Sequence, residues 1–286
     1  MTGVQTCALP ISQNDLLSSL DSTSDENVVT LATFKSTRLI DMQTVESLGK
    51  RTLDVRISHR FGEFNSGGQN AYGLDGPASI RIGLEYSFDG RLMAGLGRTS
   101  YEKMFDGVLK YRLLRQTESG SMPLSVTLVS SMFITGQQDP EKSITGVDKY
   151  HYFSDRMSFC HQVIIGRKFN KNLSIQMAPT MIHENMVESF TDNNDSYHMT
   201  FAARYKFSRR IALTGEYGFS VKNYTQKEYY NHAGIGMDIE TGGHVFQFFV
   251  TNSFGITENQ FLIHNTSSWK DNAIRIGFNI SRVFTL

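Results

Sequence analysis

From Arg51 to the end of the chain, apolar residues return at every second position, the period of a β-strand with two unlike faces. The last segment carries the pattern most clearly. Ile274, Ile276, Phe278, Ile280, Phe284 and Leu286 share one parity, interrupted by Arg282, while Arg275, Gly277, Asn279, Ser281 and Thr285 hold the other. The segment from Arg51 sets Leu53, Val55, Ile57 and Phe61 against Thr52, Asp54, Arg56, Ser58 and Arg60. A third sets Ile80, Ile82, Leu84, Tyr86 and Phe88 against Ser79, Arg81, Gly83, Glu85 and Ser87. Weaker segments near 91–101, 105–116, 122–133, 152–169, 172–183, 196–207, 210–222, 230–240 and 243–253 bring the number to twelve. Most run to about 10–12 residues, enough for a tilted strand to cross a bilayer and longer than the ~5–6 of soluble sheets.

The connections point the same way. Asp89-Gly90, Phe169-Asn170-Lys171-Asn172, Ser208-Arg209 and Glu240-Thr241-Gly242-Gly243 are tight turn signals. Long polar connections at 62–77, 134–151, 184–195, 223–229 and 254–272 alternate with them, and 102–104 is a short member of the long set. Outer-membrane barrels have short periplasmic turns and longer external loops. This pattern predicts an all-β, antiparallel up-and-down transmembrane β-barrel of twelve strands over 51–286, in a bacterial outer membrane, with both termini periplasmic. Counting 33–40 as a further strand, with 258–264 as its partner, gives fourteen; twelve is preferred. Phe88, Phe169, Phe207 and Phe284 fall at the periplasmic ends of the apolar faces, and Phe61, Phe105, Phe153 and Tyr197 at the outer ends. These are the two aromatic girdles of a membrane barrel. Arg98, Arg167 and Arg282 break the apolar parity only near strand ends, where a long side chain can snorkel to the interface. A soluble β-sandwich also shows alternation and tight turns, but strand length, the unbroken hairpin series and the girdles favour the membrane.

Composition narrows the function classes. No stretch approaches the ~20 consecutive apolar residues of a membrane helix. Basic and acidic residues balance at 28 each, so no nucleic-acid partner is implied. Cys7 and Cys160 make neither a disulfide framework nor a metal site. Residues 12–50 are polar, with an acidic, Ser-rich run at 21–26, and are expected to form a flexible periplasmic lead-in. The first eleven residues resemble translated sequencing-adapter DNA and are expected to be non-native, which would leave the true start and its export signal missing.

Several segments carry a family resemblance. Phe34-Lys35-Ser36-Thr37-Arg38, His59-Arg60-Phe61-Gly62, Gly73-Leu74-Asp75-Gly76, Lys110-Tyr111-Arg112-Leu113-Leu114-Arg115-Gln116, Glu240-Thr241-Gly242-Gly243-His244-Val245-Phe246-Gln247 and Gly277-Phe278-Asn279-Ile280-Ser281-Arg282-Val283-Phe284 are together similar to a Bacteroidota outer-membrane β-barrel family filed as a domain of unknown function. The resemblance spans nearly everything after Ser12. It implies an exported barrel preceded by a cleaved signal peptide, and no activity.

With the apolar parity toward lipid, the inward charges are Asp54, Arg56, Arg60, Arg81, Glu85, Asp106, Lys110, Arg112, Arg156, Lys168, Arg204, Lys206, Glu216, Lys222, Asp238, Glu240 and Arg275. Basic groups lead. Two readings stand: a salt-bridged filling that keeps a narrow barrel rigid, or a small anion-leaning pore. A membrane-embedded lipid hydrolase is the alternative from another class, with Ser58 and His59 as its only pointer, although adjacent strand residues face opposite ways. A binding scaffold built on loops 134–151 and 254–272, with Trp269, is the third. Expected partners are outer-membrane lipid, the barrel-insertion machinery through the C-terminal strand, and a small anionic solute. The remaining histidines lack metal-ligand spacing, and Gly95-Leu96-Gly97 lacks the third glycine of a phosphate-binding loop. No metal or cofactor and no catalytic residue is assigned.

Overall fold

A computed structural model describes residues 28–286 apart from 140, 141, 143–145, 147, 148 and 223. The stretch 1–11 and the first part of the lead-in, 12–27, lie outside the described residues. Twelve strands follow in order: β1 (Thr52–Glu63), β2 (Ser79–Ser87), β3 (Leu92–Thr99), β4 (Phe105–Leu114), β5 (Ser125–Ile134), β6 (Met157–Lys168), β7 (Leu173–Glu184), β8 (Asp195–Lys206), β9 (Ile211–Ser220), β10 (His232–Thr241), β11 (His244–Thr251) and β12 (Arg275–Thr285). Each pairs antiparallel with its sequence neighbours, and β1 pairs with β12 from Thr52 opposite Thr285 to Arg60 opposite Gly277. The sheet is a closed barrel, so no strand edge is left to satisfy in lipid.

The tight turns are built by side chains written into the sequence. Asp89 accepts the N–H groups of Arg91 and Leu92 at 2.8 and 2.7 Å. Asn170 does the same for Asn172 and Leu173 at 2.8 and 2.9 Å. Such Asx turns mimic a backbone turn and end one strand sharply enough to start the next. The opposite end carries the long connections, including 135–156, 185–194 and 252–274.

The wall obeys the two-residue period. In β2 the burial alternates strictly, with Ile80, Ile82 and Leu84 outside and Ser79, Arg81 and Glu85 inside. Phe88, Phe169, Phe207 and Phe284 ring the short-turn end from outside, and Phe61, Phe105 and Tyr197 the other. Phe153 lies just beyond the wall, in a single 3-10 turn (Phe153–Arg156) ahead of β6. The three parity-breaking arginines use these rings: Arg98, Arg167 and Arg282 stack over Phe105, Phe169 and Phe284 at 4.6, 5.3 and 4.9 Å. A guanidinium held over an aromatic face at the interface keeps its charge near water while its stem covers apolar wall.

The lead-in differs from the sequence reading. Residues 33–45 are not a free periplasmic arm but, apart from the exposed Lys35, are buried inside the barrel. They form a narrow hairpin rather than a barrel strand, closed by Leu39 N–H to Met42 O and Thr44 N–H to Thr37 O, both 2.9 Å. The connection after β11 also departs from expectation. It folds into the lumen instead of standing outside as a surface loop, and its short helix α1 (Glu258–Leu262) is wholly buried. The fourteen-strand alternative fails on both counts, since neither segment joins the sheet.

Candidate functional site: a filled lumen

A hairpin inside a barrel must satisfy its backbone away from water, because an unpaired buried N–H costs about as much as a lost hydrogen bond. Here the wall supplies the partners. Glu216 of β9 grips the hairpin tip: its Oε2 accepts the N–H groups of Ile40 and Met42 at 3.2 Å each, and its Oε1 that of Asp41 at 2.9 Å. Gln176 of β7 accepts from Val45 N–H at 3.1 Å and donates to Gln43 O at 2.7 Å. Lys110 donates to Thr37 O at 3.1 Å, Thr127 to Val45 O at 2.8 Å and Asn279 to Ile40 O at 2.8 Å.

Charge is matched as closely. Asp41 at the tip pairs with Arg60 of β1, whose guanidinium also lies 4.1 Å over the Phe249 ring. Arg38 reaches Glu85 of β2 at 3.6 Å and Glu258 of α1 at 3.3 Å, so it joins the hairpin, the wall and the inward loop. Glu46 pairs with Arg112 at 3.2 Å, and Lys35 with Glu240 at 3.1 Å. Other pairs lie within the wall: Arg81 with Asp106 (2.9 and 2.5 Å), Arg204 with Glu240 and Asp238 (2.6 and 3.5 Å), and Arg56 with Asp54 (3.6 Å). Buried charges persist when paired, and each of these has a partner of opposite sign within 4 Å, although Asp54 Oδ1, Glu85 Oε1 and Asp238 Oδ2 accept no hydrogen bond.

Apolar contacts complete the seat. Phe34, Leu39 and Val45 pack with Val108, Val129, Ile164, Ala178 and Ala202 of the wall. Met42 meets Phe261, Leu262 and Ile263 of the inward loop, together with Met104, Phe133, Cys160 and Ile182. Wall glycines make the room: a Cβ on Gly166 would lie 2.8 Å from Val45 Cγ1, and one on Gly218 would lie 2.7 Å from Leu262 Cδ2.

Of the seventeen charged positions assigned inward from sequence, twelve are buried in this interior, and Lys168, Lys206 and Glu240 are half-buried at its short-turn end. Two are corrections: Lys222 is exposed beyond the end of β9, and Arg156 lies outside the wall. Arg156 sits at the long-loop mouth, donating to Gln137 O at 2.7 Å and stacking on Tyr150, because β6 begins one residue after it. Ser58 and His59 do not come together. Ser58 is buried inside the barrel, and His59 stacks on Phe278 on the outer face with ring centroids 5.1 Å apart.

Among the described residues, one group has ligand spacing for a metal: Asp41, Glu216 and His232. Most of its donor atoms are already committed, Asp41 Oδ2 being the exception. Arg60 holds Asp41, three backbone N–H groups and His232 Nε2 (2.7 Å) surround Glu216, and His232 Nδ1 has no acceptor to orient the ring as a ligand's would. We read it as a hydrogen-bonded clamp on the hairpin tip.

The inward loop has its own fastening. Thr257 and Gln260 form a capping box on α1, and Asn259 donates to Ser158 at 3.1 Å. His264 Nε2 lies 2.8 Å from Glu184 Oε1 at the end of β7. Burial pushes the His264 pKa down, but the Glu184 carboxylate outweighs it, and the net shift is upward. The stabilisation from a raised histidine pKa is complete below the unfolded value of about 6.5 and fades as pH climbs through the folded value. Protease nicking of the loop is therefore expected to speed up on going from pH 6 to pH 9 in the wild type. His264→Gln should nick at one pH-independent rate; equal pH dependence in both proteins would refute the pairing.

The model of the membrane bound beta barrel domain (DUF5777) matches residues 34–284. The chain belongs to that family. The matched region starts at Phe34, so the hairpin is part of the family's domain together with the wall. No curated protein matches the chain. Among solved structures, the KdgM porin in complex with disordered oligogalacturonate is similar at 10% identity, TM-score 0.50, covering 82% of this chain and 99% of that one. The NanC porin gives 10% identity, TM-score 0.49 and the same coverage. Outer membrane phospholipase A from Escherichia coli gives 12% identity, TM-score 0.47, and covers 82% and 91%. At these identities the likeness is one of fold: a closed, porin-like outer-membrane barrel.

Proposed function

We propose that this DUF5777 barrel is an outer-membrane pore held shut by its own N-terminal segment, and that it favours anions when residues 33–45 withdraw. The observation that carries this reading is the grip of Glu216 on three consecutive N–H groups at the hairpin tip. The wall spends a buried carboxylate on holding a segment that is not part of the sheet, which a purely rigidifying filling would not require. Withdrawal of the hairpin removes Lys35, Arg38 and Asp41, two basic residues and one acidic, and leaves the wall's own charges in place. The buried wall charges are Arg56, Arg60, Arg81, Lys110, Arg112, Arg204 and Arg275 against Asp54, Glu85, Asp106, Glu216 and Asp238. A basic lining favours anion passage.

The test is conductance in planar bilayers. The full chain is expected to be silent, and the same chain lacking residues 33–45 to conduct, with a reversal potential of anion sign in a salt gradient. A full chain that conducts as freely as the deletion, or a folded deletion that stays silent or selects cations, would overturn the proposal.

A further inference from the structure

The lipid-facing wall holds a polar pair that the lumen does not explain. Ser130 of β5 and His161 of β6 stand directly opposite each other in the register, both exposed on the outer surface, with Ser130 Oγ 3.1 Å from His161 Nδ1. Their own row runs on through Leu109 on one side and Met181 and Tyr197 on the other. Around them the wall is dented into a groove of 650 Å³, lined mainly by apolar side chains such as Leu128, Val163, Pro179 and Met199. The pairing of β6 with β7 is interrupted opposite Pro179, which has no N–H to give to a ladder.

Polar groups facing hydrocarbon are costly unless hydrogen-bonded. The mutual bond meets half of that demand. A neutral serine–histidine pair carries two polar protons, the Ser130 hydroxyl and one imidazole N–H, and their single bond uses one of them. Whichever tautomer is present, the other proton is left without an acceptor among the described residues, at the edge of an apolar groove. In a bilayer, the acceptor that comes attached to an apolar chain is the carbonyl of an acyl ester.

We infer that this groove binds one acyl chain of a membrane lipid, with the chain's ester carbonyl accepting a hydrogen bond from the Ser130–His161 pair. The site binds without cleaving. A serine beside a histidine has the makings of a nucleophile and base, but acyl transfer also needs free donors for the developing oxyanion. Ser130 and His161 are each paired to both neighbouring strands, so their own backbone groups belong to the sheet, and the β6–β7 ladder breaks only further along, at Val163 and Ile164.

The experiment uses the full chain folded into phosphatidylcholine vesicles carrying a few per cent of a phosphatidylcholine with a photoactivatable acyl chain, in ester-linked and ether-linked forms. Folding is checked by heat-modifiable migration, which Ser130→Ala with His161→Leu should retain because both changes leave the lipid face apolar. Ester-linked probe is expected to label β6–β7 peptides of the wild type about fivefold more than those of the double variant, the scale of one hydrogen bond in a membrane. Ether-linked probe, which has no carbonyl, should label both proteins at the lower level. Equal labelling of wild type and variant, or equal labelling by the two probes, would overturn the site. Fatty-acid release that depends on Ser130 would overturn the assignment as a binding site and make it a hydrolase.

Discussion

Replacing Glu216 by leucine is expected to free the hairpin 33–45 from the lumen while the barrel stays folded. The substitution strands the N–H groups of Ile40, Asp41 and Met42, which now end on that carboxylate. An unsatisfied buried donor costs about 1–3 kcal/mol, so three of them cost at least about 3 kcal/mol. That is a shift of about a hundredfold or more toward release, at about 1.4 kcal/mol per factor of ten. The wall does not depend on the lost group in the same way, because Glu216 contributes to the sheet through its backbone pairing with Gly234 and Ala202. A cysteine at Leu39, buried in the seat, reports the outcome through its rate of labelling by a membrane-impermeant maleimide. Glu216→Gln, which keeps one acceptor oxygen but brings an amide against the backbone donors, should fall between the two. Labelling at the wild-type rate in Glu216→Leu would mean that the apolar seat alone holds the hairpin.

The second large effect concerns the wall itself. Arg81 and Asp106 form a two-point pair on adjoining faces of β2 and β4, across the glycines of β3. Gly97 is required there, since a Cβ would lie 2.5 Å from Asp106 Oδ1 and closer still to the guanidinium. Asp106→Ala leaves a guanidinium buried without its main partner, a loss of about 3–5 kcal/mol. Arg81→Met combined with Asp106→Leu removes both charges and is expected to recover most of that loss, because an apolar pair of similar volume often replaces a buried ion pair at little cost. Urea unfolding in vesicles measures both. The exposed pair Lys227–Glu188, at 3.0 Å on the surface, is the internal control and should change stability by under about 1 kcal/mol. If breaking the buried pair cost no more than breaking the exposed one, the lumen would be hydrated rather than packed at this point.

How far these features can be read from the chain depends on whether they are local. Strand number, direction and facing follow from period-two alternation and from turn chemistry at Asp89, Asn170 and Ser208, all of which act within a few residues. The aromatic girdles follow from the same parity. The filled lumen was signalled but not decoded. Val108, Val129, Phe133, Ile164 and Ile182 are apolar residues on the inward parity, and they form the seat for Phe34, Leu39, Met42 and the α1 loop. Read as noise in an otherwise polar lining, they hide the fact that something apolar must cover them. The Thr257–Gln260 capping box likewise announces a helix in what otherwise reads as a loop. What could not be read was long-range register. Ser130 meets His161 only because β5 and β6, joined by a long connection, pair at one particular offset, and Glu216 meets the hairpin tip from 175 residues further along the chain.

The central claim is that residues 33–45 sit inside the barrel, and a cross-link tests it most directly. A chain with Cys7 and Cys160 replaced by alanine, and with Val45→Cys and Gly166→Cys introduced, places two thiols across the contact where a Gly166 Cβ would come within 2.8 Å of Val45. Folded in vesicles and mildly oxidised, it is expected to form the intramolecular disulfide nearly to completion and to carry no current. If both thiols instead remain free and open to maleimide in the folded barrel, the hairpin is not in the lumen and the account of a self-plugged pore is wrong.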